Sequence, residues 1–227
     1  LVEPEAKEIL RLSSVPVPRF LVAKDVVEAL DAADKIGYPL VLKLVSPDLT
    51  HKSEVGGVAL GIKNRAELEQ RWSEMILTVA DEMPTALIEG FLIEEMVPKG
   101  VEVIVGAVRD PQFGPVLLFG LGGQLVEVFK DRALGIPPLT TTLARRMMER
   151  TDIYTALKGV RGRDPVDLAG LERLLVRFSQ LITEQRWVKE LDINPLMASP
   201  EQLLALDARV VLFDQDTTEE QLPKLAI

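Results

Sequence analysis

The sequence predicts an α+β protein of two lobes, and three observations carry that expectation. Helical and extended patterns alternate from one end of the 227 residues to the other. Several extended runs are joined by hairpin-length turns, which favours helices layered on antiparallel sheet over a doubly wound parallel sheet. The hydrophobic fraction of 47% is enough to bury a core and offset the entropy of ordering the chain. A hinge is expected near residue 95, dividing the chain into lobes 1–94 and 95–227.

The elements follow in order. Pro4 stands where a first helical turn tolerates proline, and Ala6, Ile9 and Leu10 give that short helix an apolar face. Val15-Pro-Val-Pro18 forces an extended stretch leading into Arg19–Ala23. Asp25 reads as an N-cap, Val26, Val27, Leu30, Ala33 and Ile36 share a helix side, and Gly37 stops it. Residues 39–45 (PLVLKLV) form an almost wholly apolar run, a buried strand interrupted by Lys43. The polar segment 46–57 is a loop, residues 58–62 return to strand, and Asn64 caps a helix carrying Leu68, Trp72, Met75, Ile76 and Val79. Strands are expected at 86–96, 101–109 and 116–119. The loop Gly120-Leu-Gly-Gly123 is expected to lead into another strand ending near Phe129. A basic helix over 139–150 precedes a longer one capped by Asp167, with Leu168, Leu171, Leu174, Leu175, Phe178 and Ile182 on one stripe. Strands at 187–193 and 203–213 close the pattern, and no internal repeat is visible.

Composition narrows the function classes. Fifteen glycines and fifteen prolines without period exclude collagen-like and low-complexity chains. The sequence has no apolar run of about 18 residues, so no membrane span is expected. With no cysteine, disulfides, thiolate metal sites and Cys nucleophiles are excluded, and the cytoplasm is the expected compartment. A net charge of −9 opposes a nucleic-acid partner. The chain starts at Leu1 rather than Met, which fits a segment of a longer protein.

Five features carry candidate chemistry. Lys43 must either reach solvent from an edge strand or meet an anion, because a buried unpaired ammonium is costly. His51, the only histidine, sits in the loop His51-Lys-Ser-Glu-Val-Gly-Gly57, whose glycines and donors suit a polyphosphate; it also reads as an exposed loop residue. The GLGG loop lacks the spacing of a dinucleotide fingerprint and reads either as a plain connection or as a place of close backbone approach. Asn194 and Asp207 interrupt apolar strands and, on adjacent antiparallel strands, would make a hard-cation site suited to Mg²⁺. Read separately, they are a turn residue before Pro195 and a surface aspartate. Glu94 and Glu95 stand at the hinge, facing an adenine amino group or water.

These pieces occur in stretches that resemble a known family. EPEAKEIL at 3–10, GYPLVLKLVSPDLTHKSEVGGV at 37–58, LIEEMVPKGVEVIVGAVRDPQFGPVLLFGLGG at 92–123, VEVFKD at 126–131, ELDINPL at 190–196 and LALDAR at 204–209 carry the likeness. They are similar to the ATP-grasp domain of ADP-forming (NDP-forming) acyl-CoA synthetases, such as ADP-forming acetate–CoA ligase, relatives of the succinyl-CoA synthetase beta subunit. The resemblance covers essentially the whole chain. It implies an ATP-grasp fold, with MgATP held between two α+β lobes. On this likeness Lys43 contacts the nucleotide phosphates, with His51, Lys52 and Ser53 along them. Glu94 and the backbone at Val97 read adenine, Glu102 reads the ribose, and Asn194 and Asp207 bind Mg²⁺. Asp192 matches the acidic residue that steadies a phosphohistidine, and His51 matches a second phosphate-carrying histidine of the archaeal branch.

In that family acyl-CoA, phosphate and ADP give carboxylic acid, CoA and ATP, the phosphoryl group passing through histidine. The first phosphohistidine lies on a CoA-binding and ligase portion that these 227 residues do not contain. The chain is therefore expected to need that portion as a partner subunit or fused domain. The alternative is a non-catalytic, regulatory segment of a protein lysine acetyltransferase fused to a GNAT domain.

Overall fold

The computed structural model describes every residue except 50, 51, 124–128, 161, 163, 215, 219–221 and 223–227. It divides into two compact units, Pro18–Pro98 and Glu3–Val17 joined with Lys99–Ile227. This differs from the expected lobes 1–94 and 95–227 at the N-terminus. Helix α1 (Glu3–Leu12) groups with the later residues because Ala6 and Leu10 share an apolar cluster with Phe178 and Val210. The Leu1 ammonium also donates to the Val210 carbonyl at 3.0 Å.

In the unit Pro18–Pro98 the strands are β1 (Phe20–Ala23), β2 (Leu40–Val45), β3 (Val58–Ile62) and β4 (Gly90–Glu95). They form an antiparallel sheet in the order β1-β4-β2-β3. Helices α2 (Val26–Ile36) and α3 (Arg65–Glu82) supply the apolar layer against Leu40, Leu42, Leu44, Ile62 and Ile93. Both start where the sequence predicts. The Asp25 carboxylate accepts from Glu28 N–H at 2.9 Å, and the Asn64 side chain accepts from Glu67 N–H at 3.0 Å. Gly37, at φ +91°, ends α2 in a conformation that side-chain-bearing residues avoid.

The other unit holds β5 (Val101–Asp110), β6 (Gly114–Leu121), β7 (Arg132–Gly135), β8 (Val188–Ala198), β9 (Leu203–Ala205) and β10 (Ala208–Leu212). Their order is β10-β8-β5-β6-β7, with β9 also paired to β8. Helices α4 (Thr141–Glu149), α5 (Ile153–Leu157) and α6 (Leu168–Glu184) complete it among the described residues. The stripe predicted for α6 is buried as expected at Leu171, Leu174, Leu175, Phe178 and Ile182. The end of α6 is held by a long-range contact: buried Arg109 on β5 donates to the carbonyls of Ile182 in its last turn, Gln185 at its C-cap and Val188 at the start of β8.

Two elements have no local signal. Strand β7 exists through pairing with β6, and α5 starts where the Asp131 carboxylate accepts the N–H groups of Asp152 and Ile153 at 2.8 and 2.7 Å. The run expected as one strand over 203–213 breaks at Leu206 and Asp207 into β9 and β10. The strand expected beyond the GLGG loop falls on 124–128, outside the described residues. Among the described residues no helix is long and apolar enough to cross a membrane.

Phe178 is fully buried at the centre of this larger cluster. Phe178→Ala is expected to lower the unfolding free energy by about 3–5 kcal/mol, through lost transfer energy plus a cavity. Urea denaturation followed by circular dichroism measures it.

Candidate functional site

In the unit Pro18–Pro98 the key group is Lys43. Strand alternation sends Leu42 and Leu44 into the helix-covered core and turns Lys43, Val41 and Val45 to the opposite face. β2 is an inner strand and Lys43 is 7% exposed, so the solvent-reaching edge lysine is excluded. Its Nζ lies 3.1 Å from Glu94 Oε1 on β4, and Glu94 is itself buried. The two residues expected to touch phosphate and adenine thus meet each other as an ion pair. Glu95 is separated from Glu94 by its partner: Arg19 donates to its carboxylate from both backbone and guanidinium, at 2.9 and 2.8 Å. Glu95 is thereby held in place within this unit, and Val97 follows as a buried residue.

The loop predicted to run along phosphates is anchored beside Lys43. Gly57 N–H donates to the Lys52 carbonyl at 2.7 Å, and the Gly57 carbonyl accepts from Leu44 N–H at 2.8 Å. A Cβ on Gly57 would sit 3.0 Å from the Lys52 carbonyl oxygen, so a side chain there would press on the turn. Lys52 is half-buried and Ser53 exposed. His51 lies outside the described residues.

In the other unit Asn194 and Asp207 do meet. Asn194 N–H donates to the Asp207 carbonyl at 3.2 Å, where β8 runs antiparallel to β10. Asp207 Oδ1 accepts from Ala208 N–H at 2.8 Å, and Asn194 Oδ1 accepts from Gly123 N–H at 2.8 Å. Glu102 joins the same cluster: its carbonyl accepts from Gly122 N–H at 3.0 Å. Its carboxylate occupies the space that a side chain on Gly123 would need, and Gly123 has φ +72°. The glycines of the GLGG loop therefore serve close approach within the chain, tying together the residues expected at ribose and metal.

Asp192 lies on β8 opposite Gly106 of β5 and Arg209 of β10. A Cβ at Gly106 would be 3.1 Å from Asp192 Oδ1. Burial, then the neighbouring Asp207 charge and that of Glu190, push the Asp192 carboxyl up to about 6, against the pull of Arg209. Acids gathered this way, beside an amide oxygen, are a donor set that fits a hard cation. Among the described residues no group of three or more His, Asp or Glu would hold a metal alone. The set therefore suits Mg²⁺, which takes one or two carboxylates and completes its shell with phosphate oxygens and water. The residue types at 194 and 207 were readable in the sequence. The neighbours Gly106 and Arg209 were not singled out, although the period-2 pattern around Asp207 places Arg209 on the face opposite the core.

Comparison with known proteins places this arrangement among relatives. The family described as "ATP-grasp domain" matches residues 1–212. The chain is 44% identical over 212 residues to acetate–CoA ligase [ADP-forming] I subunit beta of Pyrococcus furiosus, covering 93% of this chain and 91% of that subunit. It is 41% identical over 215 residues to acetate–CoA ligase [ADP-forming] I of Archaeoglobus fulgidus, covering 95% of this chain and 31% of that longer protein. Among solved structures, the dinucleotide forming acetyl-coenzyme A synthetase 1 of Ca. Korarchaeum cryptofilum superposes with a TM-score of 0.91 at 40% identity, over 93% of both chains. Another structure of that enzyme holds coenzyme A and Mg-AMPPCP, with its phosphohistidine segment pointing towards the nucleotide binding site; there the TM-score is 0.80 at 36% identity, over 92% of this chain and 91% of that one. These likenesses give no support to the acetyltransferase alternative.

The raised Asp192 carboxyl has a measurable consequence for stability. Its folded-state value of about 6 exceeds the unfolded one, so between about pH 4 and 6 the folded chain binds more protons. The contribution of this group to stability is greatest below that window and falls as pH rises through it, by roughly 2–3 kcal/mol in all. In divalent-free buffer, Asp192→Asn is expected to flatten this slope and to raise the melting temperature at pH 7.5. An unaltered slope in the variant would place the titration elsewhere.

Proposed function

From the premise that the chain belongs to the ATP-grasp domain family shared with the beta subunit of ADP-forming acetate–CoA ligase, we propose that it is the nucleotide-binding phosphotransferase module of an ADP-forming acyl-CoA synthetase. The whole reaction converts acyl-CoA, phosphate and ADP into carboxylic acid, CoA and ATP, reversibly. Phosphate displaces CoA to give an acyl phosphate, the phosphoryl group moves to an imidazole nitrogen, and ADP then accepts it. This chain hosts the last transfer. The P–N bond of the phosphohistidine breaks, its electron pair returning to the ring nitrogen, as a β-phosphate oxygen of ADP forms the new P–O bond.

Phosphoryl transfer is mainly positioning and charge neutralisation, and the candidate residues divide along those lines. Lys43 and the Lys52–Ser53 turn contact the phosphates, with His51 carrying the phosphoryl group beside them. Glu94 and the backbone of Val97 hold the adenine, and Glu102 the ribose. Asn194 and Asp207 hold Mg²⁺, which supplies charge neutralisation on the phosphates. Asp192, largely ionised at neutral pH, accepts the ring N–H of the histidine and keeps the phosphorylated nitrogen oriented. The observation that carries the reading is the meeting of Asn194, Asp207 and Asp192 across β8 and β10, with Gly123 bonded to Asn194.

The CoA-binding and ligase portion is the required partner, on a second subunit or fused in a longer chain. Both forms exist among the relatives, as a beta subunit and as a protein of which this chain covers 31%. The cysteine-free composition is compatible with the cytoplasm as its compartment.

Calorimetric titration tests the nucleotide site. Micromolar binding of ATP that depends on Mg²⁺ is expected, and Asp207→Ala is expected to weaken MgATP binding at least about tenfold by removing one charged ligand. Equal affinity in wild type and variant would remove Asp207 from the metal site.

A further inference from the structure

The face of the larger sheet that carries Asp192 holds one more group that the reaction has not used. Arg209 stands directly opposite Asp192 in the β8–β10 register, two residues beyond Asp207. Its neighbours Ala208 and Val210 are buried in the core, so alternation turns Arg209 to the other face, where it is exposed. The Arg209 charge acts on Asp192, the residue directly opposite it. A guanidinium facing a carboxylate across a strand pair would ordinarily close an ion pair with it. Among the described residues Arg209 makes none, whereas Arg11, Arg19, Arg65, Arg71, Arg145 and Arg173 all do. On the far side of Asp192 the β5 position is Gly106, which leaves the sheet surface low beside the carboxylate.

We propose that Arg209 is a catalytic residue of the nucleotide step, its guanidinium binding the terminal phosphate that is transferred at Asp192, Asn194 and Asp207. This rests on the nucleotide reading above and adds a phosphate contact to those which that reading gives to Lys43 and the Lys52–Ser53 turn. Lys43 is already engaged by buried Glu94, which reduces the charge it offers. The planar guanidinium presents paired N–H donors that match two phosphoryl oxygens. Its place opposite Asp192 puts it beside the carboxylate assigned to the phosphohistidine, so charge that shifts between imidazole and nucleotide meets a fixed cation.

The test is calorimetry of the full chain with MgATP, MgADP and AMP, for wild type, Arg209→Ala and Arg209→Lys, with a melting curve for each protein. Arg209→Ala is expected to lose about tenfold or more in MgATP affinity, less for MgADP, and less than about twofold for AMP. Arg209→Lys is expected to recover part of the MgATP loss. An equal loss for all three nucleotides together with a lowered melting temperature would make Arg209 a structural counter-charge and overturn the proposal, as would unchanged affinity throughout. Wild type that binds none of the three would instead defeat the nucleotide reading, and this inference with it.

Discussion

Strand alternation is the constraint on which both candidate sites depend. In β8 the residues Leu191 and Ile193 enter the core, which forces Glu190, Asp192 and Asn194 onto the other face, and the alternation breaks after Asn194, so that Leu196 returns to the core. In β2 the same period sends Leu40, Leu42 and Leu44 inward and Lys43 outward. A one-residue slip in either strand would turn a charged side chain into the apolar core and the core leucines onto the other face, so the apolar core fixes the register of the polar residues. The positions of the chemistry are thus set by hydrophobic residues that take no part in it.

The two polar faces meet opposite electrostatic demands. In β2 and β4 the buried ammonium of Lys43 is matched by Glu94, an arrangement whose desolvation roughly offsets its attraction. Hydrophobic residues of similar volume would make as stable a sheet, so the pair is weak as a stabiliser. Along β8 and β10 the balance is different, because Asp192, Asp207 and Glu190 outnumber Arg209. Burial first, and then this crowding, raise the Asp192 carboxyl and cost stability at neutral pH, and a divalent cation would relieve the excess charge. Local destabilisation of that kind concentrates where binding supplies the missing charge.

Legibility in the sequence followed the range of the forces involved. Helices whose ends are capped by neighbouring residues, at Asp25, Asn64 and Asp167, were readable because cap and helix lie within a few positions. Helix α5 was not, since its cap is Asp131, twenty-odd residues away, and β7 has no signal except its partner strand. The grouping of α1 with residues 99–227 also escaped the pattern, because a short apolar stripe does not say which core it joins. Among site residues, Asn194 and Asp207 were visible as polar interruptions, but two opposite readings fitted them until the β8–β10 register brought them together. Lys43 was visible for the same reason, and what burial added was its partner. His51 falls outside the described residues, and its role stands on resemblance and on the loop anchored beside Lys43.

The GLGG loop is a motif whose close approaches are met within the chain itself. Glycines at 120, 122 and 123 signal close approach, and a phosphate is the familiar visitor at such a turn. Here each close approach is made within the chain: Gly120 lies against the backbone of Asp131, Gly122 against Val103, and Gly123 against the carboxylate of Glu102. Gly123 also gives its N–H to Asn194, so one peptide bears on the residue assigned to the ribose and on a residue assigned to the metal. A side chain at 123 would displace Glu102 and strain the backbone at once. The loop therefore positions the side chains of Glu102 and Asn194, and its glycines are required by the protein's own packing.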